Sequence, residues 1–413
     1  MTILTTDFGP GDLATARDPY ALLASVRARG RVLRGPGSWV VLGHAEVLAV
    51  LRSSAARSGF IAAIYRQSLP PGAARDEMGH RINFLDPPDH TRVRKLVANA
   101  FTPRRVAALR PYVIALCREL LAPHDGDATI DLIATFSHPV PSLVISELLG
   151  VPPADRDLLT ALSNRVAALL GLAGLDPAKR DDAIAAAEQM HGYLRELLAT
   201  RRRDPRDDLL SALLAVEEDH QRLSESELLS LAATLYSAGH RTTRDLFSNG
   251  LSVLLRERTL MEALQRGALL PPAVVEEFLR FETPTHYIAR MLAEPLTLGG
   301  VTIPPGEPIT LMLAAANRDP VAYADADRFE PRRWLGDPAP PAPLSFAFGP
   351  HFCLGASLAR LEAETMLETL FAARPEIALA DEALEWRHTG LFRGLRALPV
   401  RLGRAAARHA PLG

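Results

Sequence analysis

Apolar residues recur at three- and four-residue spacing through 104–121, 139–149, 181–200, 208–218, 225–256, 272–281 and 355–373, which predicts amphipathic helices over most of the chain. Strand signals are few and short. Trp39-Val40-Val41-Leu42 reads as a strand, and Leu296–Leu298 with Val301–Ile303 reads as a hairpin around Gly299-Gly300. A further apolar run, Ile309–Leu313, follows the Pro304-Pro305-Gly306 turn, and the proline-rich stretch 336–343 predicts an irregular loop. A mainly α fold with a small β-rich region is therefore expected.

The stretch 225–256 is the most informative of these. Ser224 and Glu227 form a capping-box signature, and about 32 helical residues at 1.5 Å each would span about 48 Å, the width of a whole domain. Between Leu228 and Ala238 nearly every face is apolar, so a buried central helix is expected. It then changes to Gly239-His240-Arg241-Thr242-Thr243. Polar groups in a dry core are either paired for structure or used for chemistry.

Composition narrows the classes. With 48% hydrophobic and 23% charged residues among 413, the chain can bury a large core and is no disordered protein. Lys+Arg at 46 against Asp+Glu at 48 argues against a nucleic-acid binder, which needs a basic stripe to neutralise phosphates. Two cysteines cannot build a disulfide framework or a Cys-rich zinc site, and point to a reducing compartment. Asp7 and Asp12 precede any apolar run, and no run approaches the roughly 18 residues of a membrane span. A cytoplasmic protein without membrane attachment is expected.

The sharpest signal is Phe346-Ala347-Phe348-Gly349-Pro350-His351-Phe352-Cys353-Leu354-Gly355, followed at once by a helix. A lone cysteine is usually a small buried hydrophobe, and Cys117 on the apolar side of 104–121 reads that way. Cys353 instead precedes a helix N-terminus, where the dipole favours a thiolate, and two glycines let the backbone approach something flat and bulky.

Phe346, Gly349, Cys353 and Gly355 at these spacings resemble the haem-binding loop of the cytochromes P450. Glu277-Phe278-Leu279-Arg280 resembles that family's Glu-x-x-Arg helix, and Phe329-Glu330-Pro331-Arg332-Arg333 the meander that gives the glutamate a second arginine, Arg333. Asp86 to Arg94, Ala316 to Pro320 and Gly394 to Val400 also fall in the family's order. Length alone suggests two or three domains of roughly 150 residues. The motifs run from residue 90 to 353, and imply a single P450 haem domain over 1–413, with no fused reductase or ferredoxin segment.

The resemblance implies haem b ligated through Cys353. It implies that His90 and Arg94 hold a propionate on one side, and Arg290 and His351 on the other. A thiolate ligand pushes electron density onto iron and favours O–O cleavage. The implied function is a monooxygenase inserting one atom of O2 into an organic small molecule, fed by a separate ferredoxin and ferredoxin reductase. Arginine in place of lysine nearly throughout suggests a GC-rich genome, compatible with secondary metabolism. Glu277, Arg280 and Arg333 are expected to form a buried ion network of structural rather than catalytic importance.

One position departs from the family, which usually reads small-Gly-x-acid-Thr on the central helix. Gly239 fits the local distortion that makes room for oxygen, and Thr242, with Thr243 behind it, fits the alcohol, but Arg241 stands where the acid should be. Three explanations compete. Arg241 pairs with Asp245 one turn on and is passive; it contacts an anionic substrate or an acidic carrier presenting a tethered one; or turnover is peroxide-driven or otherwise atypical. An inactive haem-binding docking protein is a fourth, non-enzymatic alternative. By resemblance, residues 57–81 form the variable loop over the haem and 160–195 the lid helices. Ala238, Thr285, His286, Tyr287, Leu391 and Phe392 are placed on the substrate pocket.

Overall fold

The computed structural model describes residues 3–124, 126–171, 175–216 and 222–404. Its helical body includes α1 (Asp89–Ala100), α2 (Arg110–Leu121), α3 (Pro139–Leu149), α4 (Pro177–Arg203), α5 (Glu225–Leu254), α6 (Pro271–Phe281) and α7 (Ala356–Ala373). α5 starts at the capping box: the Ser224 hydroxyl accepts from the Glu227 N–H, and the Glu227 carboxylate accepts from the Ser224 N–H. It then crosses the molecule, packed against α3, α4, α6 and α7. Leu231, Tyr236, Phe247, Leu251 and Leu254 on it are buried, each such large apolar side chain contributing roughly 1.5–3 kcal/mol.

The periodic stretches become helices with informative differences at their ends. The stretch 104–121 is two helices, Pro103–Ala107 and α2, because Pro111 has no N–H to give Ala107 and can serve only in the first turn of a new helix. α4 begins at Pro177, ahead of the periodic stretch, where the Asp176 carboxylate accepts from the N–H groups of Ala178 and Lys179. The 208–218 stretch is helical over Leu209–Ala215; residues 217 and 218 lie outside the described residues.

Strands β1 (Val32–Arg34), β2 (Trp39–Val41), β3 (Ala56–Arg57), β4 (Ile288–Leu292) and β7 (Pro308–Leu311) form one sheet in the order β1-β2-β7-β4-β3, between which β5 (Leu296–Leu298) and β6 (Val301–Ile303) make a separate hairpin. Gly299 and Gly300 at its tip both have positive φ, 55° and 84°, as a two-residue hairpin turn of this hand requires. The expected run to Leu313 ends at Leu311, and Leu313 opens a short helix, Leu313–Ala316. A second hairpin, β8 (Trp386–His388) with β9 (Arg393–Leu395), lays β9 against α5. Residues 336–343 have no helix or strand.

Residues 57–81, the segment expected to hold the variable loop, carry two helices, Gly59–Ser68 and Ala73–His80. The second is held to α5 and α4: Met78 is fully buried, the Ser230 hydroxyl donates to the Glu77 carbonyl at 2.8 Å, and the Ala73 N–H donates to Glu188 at 2.7 Å. The lid segment is Arg156–Val166, a short 3-10 turn and α4; residues 172–174 within it lie outside the described residues. Cys117 is fully buried, where desolvation and the neighbouring Glu362 push its thiol up to about 12. Among the described residues no helix is long and apolar enough to cross a membrane.

Candidate active site

The Cys353 loop is shaped by its own backbone and by one side chain from elsewhere. The Cys353 N–H donates to the Phe346 carbonyl at 3.0 Å, and the Phe352 N–H to Gly349 at 3.0 Å, folding the segment back before α7. Gly349 has φ +71°, and a Cβ there would stand 2.6 Å from the Leu51 carbonyl oxygen, so only glycine fits. Ala347 also takes a positive φ, 57°. A Cβ on Gly355 would reach only the Cys353 sulfur, at 4.0 Å, so that flank of the sulfur stays open. Phe346 packs edge-on to Phe352 and lies under the Arg360 guanidinium.

Asn317 ties this loop to the body. Fully buried, it accepts from the Leu344 N–H at 2.8 Å and donates to the Ser345 hydroxyl at 2.8 Å, which in turn donates to the Leu279 carbonyl on α6. Arg280 donates to the Asn317 carbonyl at 3.1 Å and, through Nε and Nη2, to both carboxylate oxygens of Glu277 at 2.8 and 2.6 Å. Glu277 also accepts from Arg333 at 3.3 Å, the Trp334 indole at 3.0 Å and the Glu330 N–H at 2.7 Å. Five donors on one fully buried carboxylate offset its desolvation. Asn317 lies in the Ala316 to Pro320 block named from the sequence, but without a role; Ser345 and Trp334 were not singled out, since a single polar residue carries no periodic signal.

His90, Arg94, Arg290 and His351 come together. The His90 and His351 rings lie 4.0 Å apart, so the two sides expected for the propionates are one basic cluster. Burial, then His90, Arg290 and Arg94, push His351 down to about 3; burial pushes Arg290 down to about 10; burial, Arg94 and Arg290 lower His90. The acid that counteracts these charges is Asp86, and its two oxygens already accept from the N–H groups of Ser58 and Gly59. His351 Nδ1 is buried without a partner among the described residues. Arg94 spends one N–H on the Phe352 carbonyl, at 2.6 Å, next to Cys353. A group with two carboxylates fits these unused donors, and haem is such a group.

Cys353 itself is free and exposed, yet enough protein surrounds it that desolvation pushes its thiol up, against the Gly355 N–H and the charges of Arg94 and Arg360. The expectation that the helix start favours a thiolate is corrected: desolvation outweighs it in the chain alone. A metal bound at the sulfur removes the proton outright.

On α5, Ala238 is exposed and Arg241 and Thr242 are half-buried, while His240 and Thr243 are buried. The helix is continuous through Gly239. Gly239 serves close packing, since a Cβ would come within 3.0 Å of Ile145 on α3. Thr242 and Thr243 turn their hydroxyls back onto the carbonyls of Ala238, at 2.9 Å, and Gly239, at 3.2 Å. The passive Arg241–Asp245 pair is also corrected. Asp245 is taken by Arg244, at 2.9 Å, and by Arg387 of β8, at 2.5 Å.

Of the expected pocket walls, Phe392 lies under Arg241, its ring centroid 6.0 Å from the guanidinium carbon, and Thr285 bridges to Phe392. Leu391 accepts from the His286 N–H at 2.9 Å. The His286 ring is buried and edge-on to Tyr20 near the N-terminus, and Tyr287 packs on that same N-terminal cluster. The expectation that these two meet substrate is corrected: both are engaged in packing against the N-terminal cluster.

His240 yields a pH prediction. Burial foremost pushes it down to about 3, its Nδ1 lying 2.8 Å from the Tyr236 carbonyl. Unfolded, it takes its proton near 6.5. Stability is therefore undiminished above about pH 6.5 and falls by up to about 1.4 kcal/mol per unit as pH drops towards 3. Denaturant titrations at stepped pH should show a shallower loss for His240→Gln than for wild type.

The description Cytochrome P450 belongs to a family model that matches residues 33–267 and 269–373. The vitamin D(3) 25-hydroxylase of Pseudonocardia autotrophica is 38% identical, over 98% of this chain and 100% of its own. The monooxygenase PikC of Streptomyces venezuelae is 40% identical, over 95% of this chain and 94% of its own. The solved structure of P450BioI in complex with hexadec-9Z-enoic acid ligated acyl carrier protein superposes with a TM-score of 0.83, at 33% identity, covering 94% of this chain and 99% of that one.

Proposed function

The chain belongs to the cytochrome P450 family, a family of haem-thiolate monooxygenases, and from that premise we propose that Cys353 ligates the iron of haem b while His90, Arg94, Arg290 and His351 hold its propionates. The observation that carries this is the basic cluster beside Cys353, whose unused donors call for a dianion. When bound, haem supplies oxygen activation, with thiolate ligation favouring O–O cleavage. The rest is what the side chains do. The basic cluster orients the cofactor by two charge-assisted contacts. The apolar residues of α5 keep bulk water out.

Thr242 handles the proton. Its hydroxyl donates to the Ala238 carbonyl, which leaves lone pairs to accept from a water. To deliver a proton outward it must give up that bond, at about 0.5–1.5 kcal/mol. The substrate is an organic small molecule of secondary metabolism, and electrons come from a separate ferredoxin and its reductase. Support for the first lies in the relatives' names, a vitamin D(3) hydroxylase and a Streptomyces monooxygenase among them.

With reductase, ferredoxin and substrate, product per NAD(P)H consumed should fall about tenfold or more in Thr242→Ala while NAD(P)H oxidation continues. Unchanged coupling would remove Thr242 from proton handling. One observation favours a second reading, in which hydrogen peroxide drives turnover: Arg241 stands in place of the acid, and among the described residues no carboxylate bonds to Thr242. Product from peroxide alone, with none from the reductase system, would decide for it.

A further inference from the structure

We infer that the substrate carries a carboxylate and that Arg241 binds it. This rests on the reading above, which takes the Ala238–Thr242 face of α5 as the border of the substrate space. Arg241 is half-buried, and among the described residues its guanidinium makes no hydrogen bond or ion pair; it lies over the Phe392 ring, within electrostatic reach of Arg244, Asp245, Arg387 and Arg81. The charged groups around it are already spent. Asp245 is divided between Arg244 and Arg387, and Arg81 is held by Glu77 at 3.3 Å and Ser237 at 2.7 Å.

Three arginines face one another across a single shared carboxylate and a fourth stands behind Glu77, so the field at Arg241 is positive. Burial, then Arg244, lowers its pKa to about 10, still high enough to leave it charged at neutral pH. A desolvated cation with its donors unspent is costly in the free protein, and an arriving anion relieves that cost. Of the anions available, a carboxylate matches the planar fork by two parallel N–H···O bonds, and the Phe392 face limits how the guanidinium can turn.

The test is calorimetric binding to the haem-loaded protein of matched pairs: dodecanoate, 4-phenylbutyrate and indole-3-acetate, each against its methyl ester. Wild type should bind at least one acid about tenfold or more tightly than its ester. Arg241→Gln should abolish that preference by weakening the acid alone, and Arg241→Lys should restore part of it. No preference in any pair, or equal weakening of acid and ester by Arg241→Gln, overturns the assignment. The reduced CO spectrum of the same samples reports the thiolate ligand separately, so failure of the haem-thiolate reading shows there and not in the acid-to-ester ratio.

Discussion

Cys353→His is expected to give a protein that still takes up haem and forms no monooxygenation product above background. The basic cluster proposed to hold the propionates does not involve the sulfur, so cofactor retention and catalysis should separate in this variant. Imidazole in place of thiolate withdraws the electron density that favours O–O cleavage. The measurement is the absorption spectrum of the reduced CO-bound protein beside a product assay. Wild type should show the red-shifted Soret band of thiolate ligation, and the variant should lack it. Haem-loaded wild type without that band would sink the assignment of Cys353 as ligand.

Glu277→Ala should do the opposite and remove the cofactor along with much of the stability. It leaves Arg280, fully buried, with its guanidinium short of the carboxylate that satisfies Nε and Nη2. Breaking such a pair costs about 3–5 kcal/mol. Set against a total of roughly 5–15 kcal/mol, that is a large share of the net stability. Expression should give insoluble or haem-free material. Asn317→Ala makes a gentler companion, since it cuts the ties to Leu344 and Ser345 while Glu277 and Arg280 stay paired. Its far-UV circular dichroism should stay near wild type as its haem-to-protein ratio falls. A soluble, haem-replete Glu277→Ala protein would show that the network is dispensable.

Much of this was legible in the residues, and unevenly so. Helices announced themselves by spacing and caps: Ser224 with Glu227 placed the start of α5 to the residue, and Gly299-Gly300 placed the hairpin. The Glu277–Arg280 contact followed from three-residue spacing on one helix face. Spacing misled at Arg241 and Asp245, which are four apart and unpaired by any hydrogen bond. There the decisive partner, Arg387, comes from 142 residues along the chain, beyond any local pattern. His286 and Tyr287 misled for a related reason. Polar residues near a pocket in sequence can be claimed by the opposite side of the sheet, as Tyr20 claims the His286 ring.

Asn317 has a consequence for how such a chain can change over evolutionary time. The hydrogen bonds that fix the Cys353 loop run through Asn317, Ser345, Arg280 and Glu277, and none is shared with Thr285, Leu391, Phe392, Arg241 or Arg81. Residues proposed to meet substrate can therefore be exchanged without breaking the hydrogen bonds that hold the Cys353 loop, so a lineage could diversify its substrates while that loop is inherited unchanged.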